Sequence, residues 1–305
     1  MYSRNPCQRN SQLNNMKEVH AQTADGLQLG GRLFETPNRE HIILHIPGMA
    51  GDIYNLGYYR EMSDRFPTEG VSFLASETRS YKNKITKGTE YTSELFEDSL
   101  LDIDAWFGFT NSLGYKNIWM QASSLGSAKI VNWYYNRKPI DLAGFIFLSP
   151  SDMIGLVHDK EGIIDHNIML SKAKALVAEG RGKEEIDHLL WGIKTLTANA
   201  YISLFGDNSE AAIFNYGDQT LGWKKVNSIN KPVLSFTCTN DDGIYPVMDV
   251  HRAMDILEKQ LADCPRKRIV IYDGGDHDFN GLEDKLVSDT LEFVFDESRD
   301  SKIAS

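Results

Sequence analysis

Six short apolar runs punctuate this chain, and between them apolar residues return every three or four positions. The runs are Ile42–Ile46, Val71–Ala75, Ile118–Gln121, Gly144–Leu148, Val233–Thr237 and Arg268–Tyr272. Each is too short for a helix and too continuous for a strand with one wet face, which predicts strands buried on both sides. The amphipathic segments between them are 58–66, 95–113, 124–135, 248–261 and 282–295. In the second of these, Leu100, Ile103 and Phe107 share one helical face. Strands alternating with helices predict an α/β architecture, a mostly parallel central sheet with helices on both faces. The alternating stretch Leu27–Phe34 predicts a half-exposed antiparallel strand at the sheet edge.

The rhythm breaks once. More than eighty residues separate the run ending at Leu148 from the run beginning at Val233, where a single crossover would suffice. Helical patterning at 168–179, 184–190 and 195–204 predicts that residues 151–225 are a helical cap or lid over the strand C-termini. Residues 18–150 and 226–305 then form the core. Trp191, Tyr201, Phe205, Phe214 and Tyr216 give the insertion either its own aromatic core or the wall of a pocket for an apolar acyl group. Residues 1–17, polar and rich in Asn and Gln, read as a disordered tail without the apolar centre of a secretory signal.

Composition narrows the class. A chain of 305 residues, 41% hydrophobic and 25% charged, suits a globular protein with one large core or two ordinary ones. No apolar run is long enough to cross a bilayer. The net charge of −11 argues against nucleic acid or an anionic membrane as partner. Cys7, Cys238 and Cys264 are odd in number and widely spaced, which predicts neither disulfides nor a zinc site and points to a reducing, cytoplasmic compartment.

The run Ile118–Gln121 leads into Ala122-Ser123-Ser124-Leu125-Gly126. Small-x-Ser-x-Gly between a strand and a helix is the pattern of a turn so tight that the serine at its apex is strained and its neighbours must be small. Ser124 is the candidate nucleophile; Ser127 falls inside the following helix, and Ser123 either orients the base, lines the pocket or fills space. A serine hydroxyl needs a base to take its proton. His277, in the turn after the last strand, is that candidate. The turn after Val233–Thr237 offers two carboxylates, Asp241 and Asp242, and the spacing Asp-x-x-x-Pro to Pro246 favours Asp242. The loop Pro47–Asp52 is glycine-rich where an oxyanion-binding N–H is needed, with Met49 the candidate donor beside the N–H of Leu125. That loop lacks the Gly-Lys-Ser/Thr ending of a phosphate loop. His45 lies within a strand and reads as a core histidine. His158, His166 and His188 lack metal-ligand spacing, and the aspartates 241, 242, 276 and 278 are explained by two functional turns without a cation, so no metal and no cofactor is expected.

Nucleophile, acid and histidine in this order, each at a strand end, resemble the α/β-hydrolase superfamily over nearly the whole chain beyond the tail. More narrowly the chain resembles the DUF1749-type (UPF0613-like) serine hydrolases. The resemblance is carried by His45–Gly51, Phe96–Asp98 with Leu101–Trp106, the elbow, Leu148–Asp152, and Leu196–Ala198 with Ser203-Leu204. It implies a triad of Ser124, Asp242 and His277 beneath a helical cap. One departure stands out: relatives read Gly-His-Ser-Leu-Gly where this chain reads Ala-Ser-Ser-Leu-Gly. The expected activity is serine-dependent hydrolysis of a carboxylic ester or thioester, with acyl transfer or cyclisation by the same triad, or ligand binding on a retired hydrolase fold, as alternatives. The expected partner is a small acyl substrate, free or held as a carrier thioester. An epoxide hydrolase or haloalkane dehalogenase is disfavoured because those enzymes place Asp at the elbow.

Overall fold

A computed structural model describes residues 16–49, 53, 57–83, 90–160, 162–192 and 194–296. Residues 1–15 and 297–305, and Ala50–Asp52 of the candidate oxyanion loop, lie outside them.

The main sheet has eight strands: β1 (Met16–Gln22), β2 (Gln28–Phe34), β3 (His41–Ile46), β4 (Val71–Ser76), β6 (Asn117–Ser123), β7 (Leu142–Leu148), β9 (Val233–Cys238) and β10 (Lys267–Tyr272). Their order is β1-β2-β4-β3-β6-β7-β9-β10. The pairs β1–β2 and β2–β4 are antiparallel, and every pair from β4 to β10 is parallel. The six apolar runs thus form the parallel part of the sheet, as their pattern predicts. All residues of β3, β4 and β9 are buried. Successive residues face opposite layers: Ile42, Leu44 and Ile46 join one apolar core, while Ile43 joins the other.

Helices α1 (Gly57–Arg65), α2 (Ser99–Ser112), α3 (Leu125–Arg137), α8 (Val250–Gln260) and α9 (Glu283–Phe295) cover the two faces. Helix α1 packs against α9, and α2 against α3. Between β7 and β9 lie α4 (Met153–Lys160), α5 (Ile163–Ala178), the short strand β8 (Lys194–Leu196), α6 (Ala198–Phe205) and α7 (Lys224–Asn227). Strand β8 pairs in parallel with β5 (Glu90–Thr92), making a second, two-stranded sheet.

Several expectations are corrected. Strand β1 begins at Met16, inside the predicted tail 1–17, and β1 rather than β2 forms the sheet edge. Residues 184–190 form no helix. Ile186 N–H donates to Leu196 O and Ala198 N–H to Glu184 O, so pairing with a distant segment outweighs the local helical pattern. The predicted helix 195–204 divides into β8 and α6.

The chain runs from β3 outward to β4, then returns past β3 to β6. The loops after β3 and β6 therefore diverge at the carboxyl end of the sheet, which opens a crevice there in α/β folds.

Candidate active site

The strand-to-helix turn between β6 and α3 holds Ser124 at φ 52°, ψ −128°, a conformation that costs a non-glycine residue of order 1–3 kcal/mol. Backbone bonds on both sides maintain it: Ser124 N–H donates to Leu148 O at 2.8 Å, and Ser127 N–H to Ser124 O at 2.9 Å. Ala122 is an ordinary strand residue paired with Ile46 and Phe147. Its extra methyl is accommodated. Glycine is demanded instead at 126, where a Cβ would lie 2.6 Å from the carbonyl oxygens of both Ile46 and Pro47.

The same close approach brings the loop after β3 against the nucleophile. A Cβ on Gly48 would lie 3.1 Å from Ser124 Cβ and 3.7 Å from its Oγ. Leu125 is the first residue of α3, so its N–H has no acceptor within its own helix. Met49, adjacent to Gly48, is partly buried against the core.

The carboxylate that meets the histidine differs from the expectation. Asp241, not Asp242, meets the histidine: its Oδ1 lies 2.6 Å from His277 Nδ1. Asp241 is fully buried, and it also accepts from Thr237 Oγ1 at 2.8 Å and Gly243 N–H at 2.9 Å. Asp242 is 58% exposed and pairs with Lys160 of α4 at 3.1 Å. The spacing to Pro246 picks the wrong one of two adjacent residues, because neighbours in this turn point to opposite sides. The better signal is Asp241-x-Gly243. An aspartate accepting the N–H two residues on makes an Asx turn, which directs its carboxylate inward. Gly243 is needed besides, since a Cβ there would lie 2.5 Å from His277 Cε1.

Burial alone pushes the Asp241 carboxyl up. The positive His277 and the hydroxyl and ring donors outweigh it and hold it below the usual carboxylate range. Burial likewise opposes charge on His277, but the Asp241 charge and hydrogen bond, with Asp278 and Asp242 beyond, hold the imidazole above the ordinary histidine value. With Nδ1 held by Asp241, Nε2 is the atom left for chemistry. Ser124 and His277 share no hydrogen bond among the described residues; catalytic contacts of this kind commonly tighten only when substrate binds. Asp241, Asp242 and His277 each offer one ligand atom, all within 4.8 Å of one another, but the Asp241–His277 bond already uses the acid's Oδ1 and the ring's Nδ1. Asp276 accepts from Asp278 N–H, Asn280 N–H and the Asn280 side chain, so it shapes its own turn.

A buried file of polar groups, missed at the level of sequence, supports the elbow from below. Tyr58 packs against Tyr59, their ring centroids 4.6 Å apart. The Tyr59 hydroxyl lies 2.7 Å from His45 Nε2, and His45 Nδ1 lies 2.7 Å from Gln121 Oε1. Burial pushes the His45 imidazole down to about 4, against the Gln121 hydrogen bond, so the ring is neutral at physiological pH. Nδ1–H then donates to Gln121, and Nε2 accepts from Tyr59. His45 is thus the satisfied core histidine its strand position suggests. Among the insertion's aromatics, Tyr201, Phe205, Phe214 and Tyr216 are buried as core.

No protein-family model matches the chain, and no curated protein matches it by sequence. Solved structures do. An esterase of Pyrococcus furiosus superposes with a TM-score of 0.60 at 15% identity, over 96% of this chain and 94% of that one. Est1E from Butyrivibrio proteoclasticus gives 0.60 at 16% identity, over 94% and 99%. The siderophore hydrolase EstB from Aspergillus fumigatus gives 0.68 at 13% identity, over 92% and 97%. At such identities the likeness is one of architecture, and together with the eight-stranded, mostly parallel sheet it shows that this chain has the α/β-hydrolase fold.

Proposed function

We propose that the protein is a serine hydrolase of carboxylic esters or thioesters, with Ser124 as nucleophile, His277 as general base and Asp241 as the acid that orients it. The observation that carries this reading is the pairing of a fully buried Asp241 with His277 Nδ1 at 2.6 Å, in a fold whose sheet also ends in a strained serine turn. In the first step Ser124 Oγ attacks the acyl carbonyl and His277 Nε2 takes the hydroxyl proton. The N–H groups of Leu125 and Met49 stabilise the oxyanion. His277 then returns the proton to the leaving alcohol or thiol as the acyl-enzyme forms, and water activated by the same imidazole releases the acid. The fold neighbours described as esterases and as a siderophore hydrolase support ester chemistry; one structure of Est1E carries bound ferulic acid.

The insertion 151–225 acts in this reading as the cap over the site. The finer kinship with the DUF1749-type hydrolases rests on the shared stretches of sequence alone. No helix among the described residues is long and apolar enough to cross a membrane. Cys238 and Cys264 are free, which agrees with a cytoplasmic site of action. The test is turnover of a panel of short and medium acyl esters and thioesters by wild type and Ser124→Ala. Turnover abolished by the substitution supports the reading. Product diverted wholly to an added alcohol or amine, with no free acid, replaces hydrolysis by acyl transfer. No turnover and no serine labelling leaves only a binding role.

A further inference from the structure

Leu148–Asp152, at the end of the strand between the nucleophile strand and the acid strand, is not explained by the three triad residues. Its second residue, Ser149, is 1% exposed and has φ 52°, a left-handed backbone that few non-glycine residues adopt. Glycine would take this conformation without steric cost. What a serine adds is its hydroxyl, and that hydroxyl reaches the site. Ser149 Oγ donates to the carbonyl oxygen of His277 at 3.2 Å. The same hydroxyl also helps hold the nearby Asp241 carboxyl below its usual range.

The surrounding bonds leave Ser149 little freedom. Its N–H donates to Phe236 O on the acid strand at 2.8 Å, and its carbonyl accepts from Ser151 Oγ at 3.0 Å. The preceding Leu148 O accepts the N–H of Ser124 at 2.8 Å. Two consecutive residues therefore hold the backbone of Ser124 and the backbone of His277.

We propose that Ser149 is a positioning residue of the site: its hydroxyl fixes the His277 main chain to the strand end that also holds Ser124, and so keeps the imidazole in register with Asp241. The turn 273–279 that carries His277 lies beyond the last strand, at the end of the sheet. A histidine on such a turn needs a restraint besides its own acid, because rotation of the turn would carry Nε2 away from the serine. A displacement of about 1 Å at such a centre costs on the order of a hundredfold in rate.

This inference rests on the proposed hydrolase reading, and the test separates the two. Ser149→Gly removes the hydroxyl while relieving the strained backbone; Ser149→Ala removes it and keeps the strain. Both are compared with wild type for kcat and KM on an ester the wild type turns over, and for the His277 Nδ1–H proton resonance in protein carrying 15N-histidine. The expected result is a kcat lowered at least tenfold with KM within twofold in both variants, and a Nδ1–H signal that moves upfield and exchanges faster with water. Thermal stability of Ser149→Gly should equal or exceed that of wild type. A Ser149→Gly protein with wild-type kcat, or with an unmoved Nδ1–H signal, overturns the proposal while leaving the triad reading intact. If wild type turns over no ester, the hydrolase reading fails instead, and the resonance alone still decides whether Ser149 holds the pair.

Discussion

At Ser124 the backbone stores strain, and at Asp241 a carboxylate is buried with its charge satisfied by neighbouring donors. The two adjacent aspartates make the sharpest residue-scale prediction. Asp241→Asn leaves the imidazole without the acceptor that selects its tautomer, and kcat should fall about 10⁴-fold. Asp242→Asn removes only an exposed partner of Lys160, and plateau kcat should stay within about threefold of wild type. Equal losses in the two variants would contradict the assignment. The pH profile follows from the same groups. The proposed mechanism needs neutral His277, whose proton is held more tightly than an ordinary histidine's of about 6.5. The acid limb of kcat/KM should therefore have its midpoint above that value, with activity lost as pH falls through it. Asp242→Asn removes one of the charges that hold the proton, so its limb should move to lower pH. A midpoint at or below 6.5 in wild type would show that burial outweighs the carboxylates. That Asp241 rather than Asp242 pairs with His277 could not be read from spacing to a proline, because side-chain direction in a turn is set by the hydrogen bonds that close it. Asp241-x-Gly243 held that information.

At the scale of elements, the elbow is the meeting of β6, α3 and the loop after β3, and each pins the others. Gly126→Ala would press a methyl against two backbone carbonyls that cannot swing aside. The expected cost is about 1–3 kcal/mol in urea unfolding, with at least a tenfold drop in kcat, because the displaced loop carries Gly48 and Met49. Wild-type stability and rate in this variant would mean that the elbow tolerates looser packing than its geometry implies. Helix α3 also bears the fully buried Lys129, whose ammonium lies 2.7 and 2.8 Å from the two oxygens of Glu94, just past β5. This pair ties the two-stranded sheet to the helix of the nucleophile. Lys129→Met should cost about 3–5 kcal/mol by taking the ammonium away from a buried carboxylate, and Lys129→Met with Glu94→Gln should recover part of it. A single substitution costing less than the double would contradict that account. The β5–β8 pairing was not legible in the sequence. Each strand is three residues long, and the partners are about a hundred residues apart in the chain.

For the whole molecule, the periodicities of six strands and the helices between them were enough for the parallel sheet, because burial on both faces leaves an unbroken apolar run in the sequence. The insertion was less legible. Its segment 184–190 has helical periodicity, yet it is held by bonds to 196–198, and periodicity carries no information about such distant pairing. Chain order placed Ser124 and His277 at strand ends of one sheet edge, and the crevice where β3 and β6 part lies at the same edge. The central claim is that this edge makes Ser124 nucleophilic. Intact-protein mass spectrometry after treatment with a fluorophosphonate tests it most directly. The account predicts one phosphonyl adduct on wild type, mapped to Ser124 and absent from Ser124→Ala, with much slower labelling of Asp241→Asn. An unlabelled wild type, or a Ser124→Ala protein that labels equally fast, would contradict it.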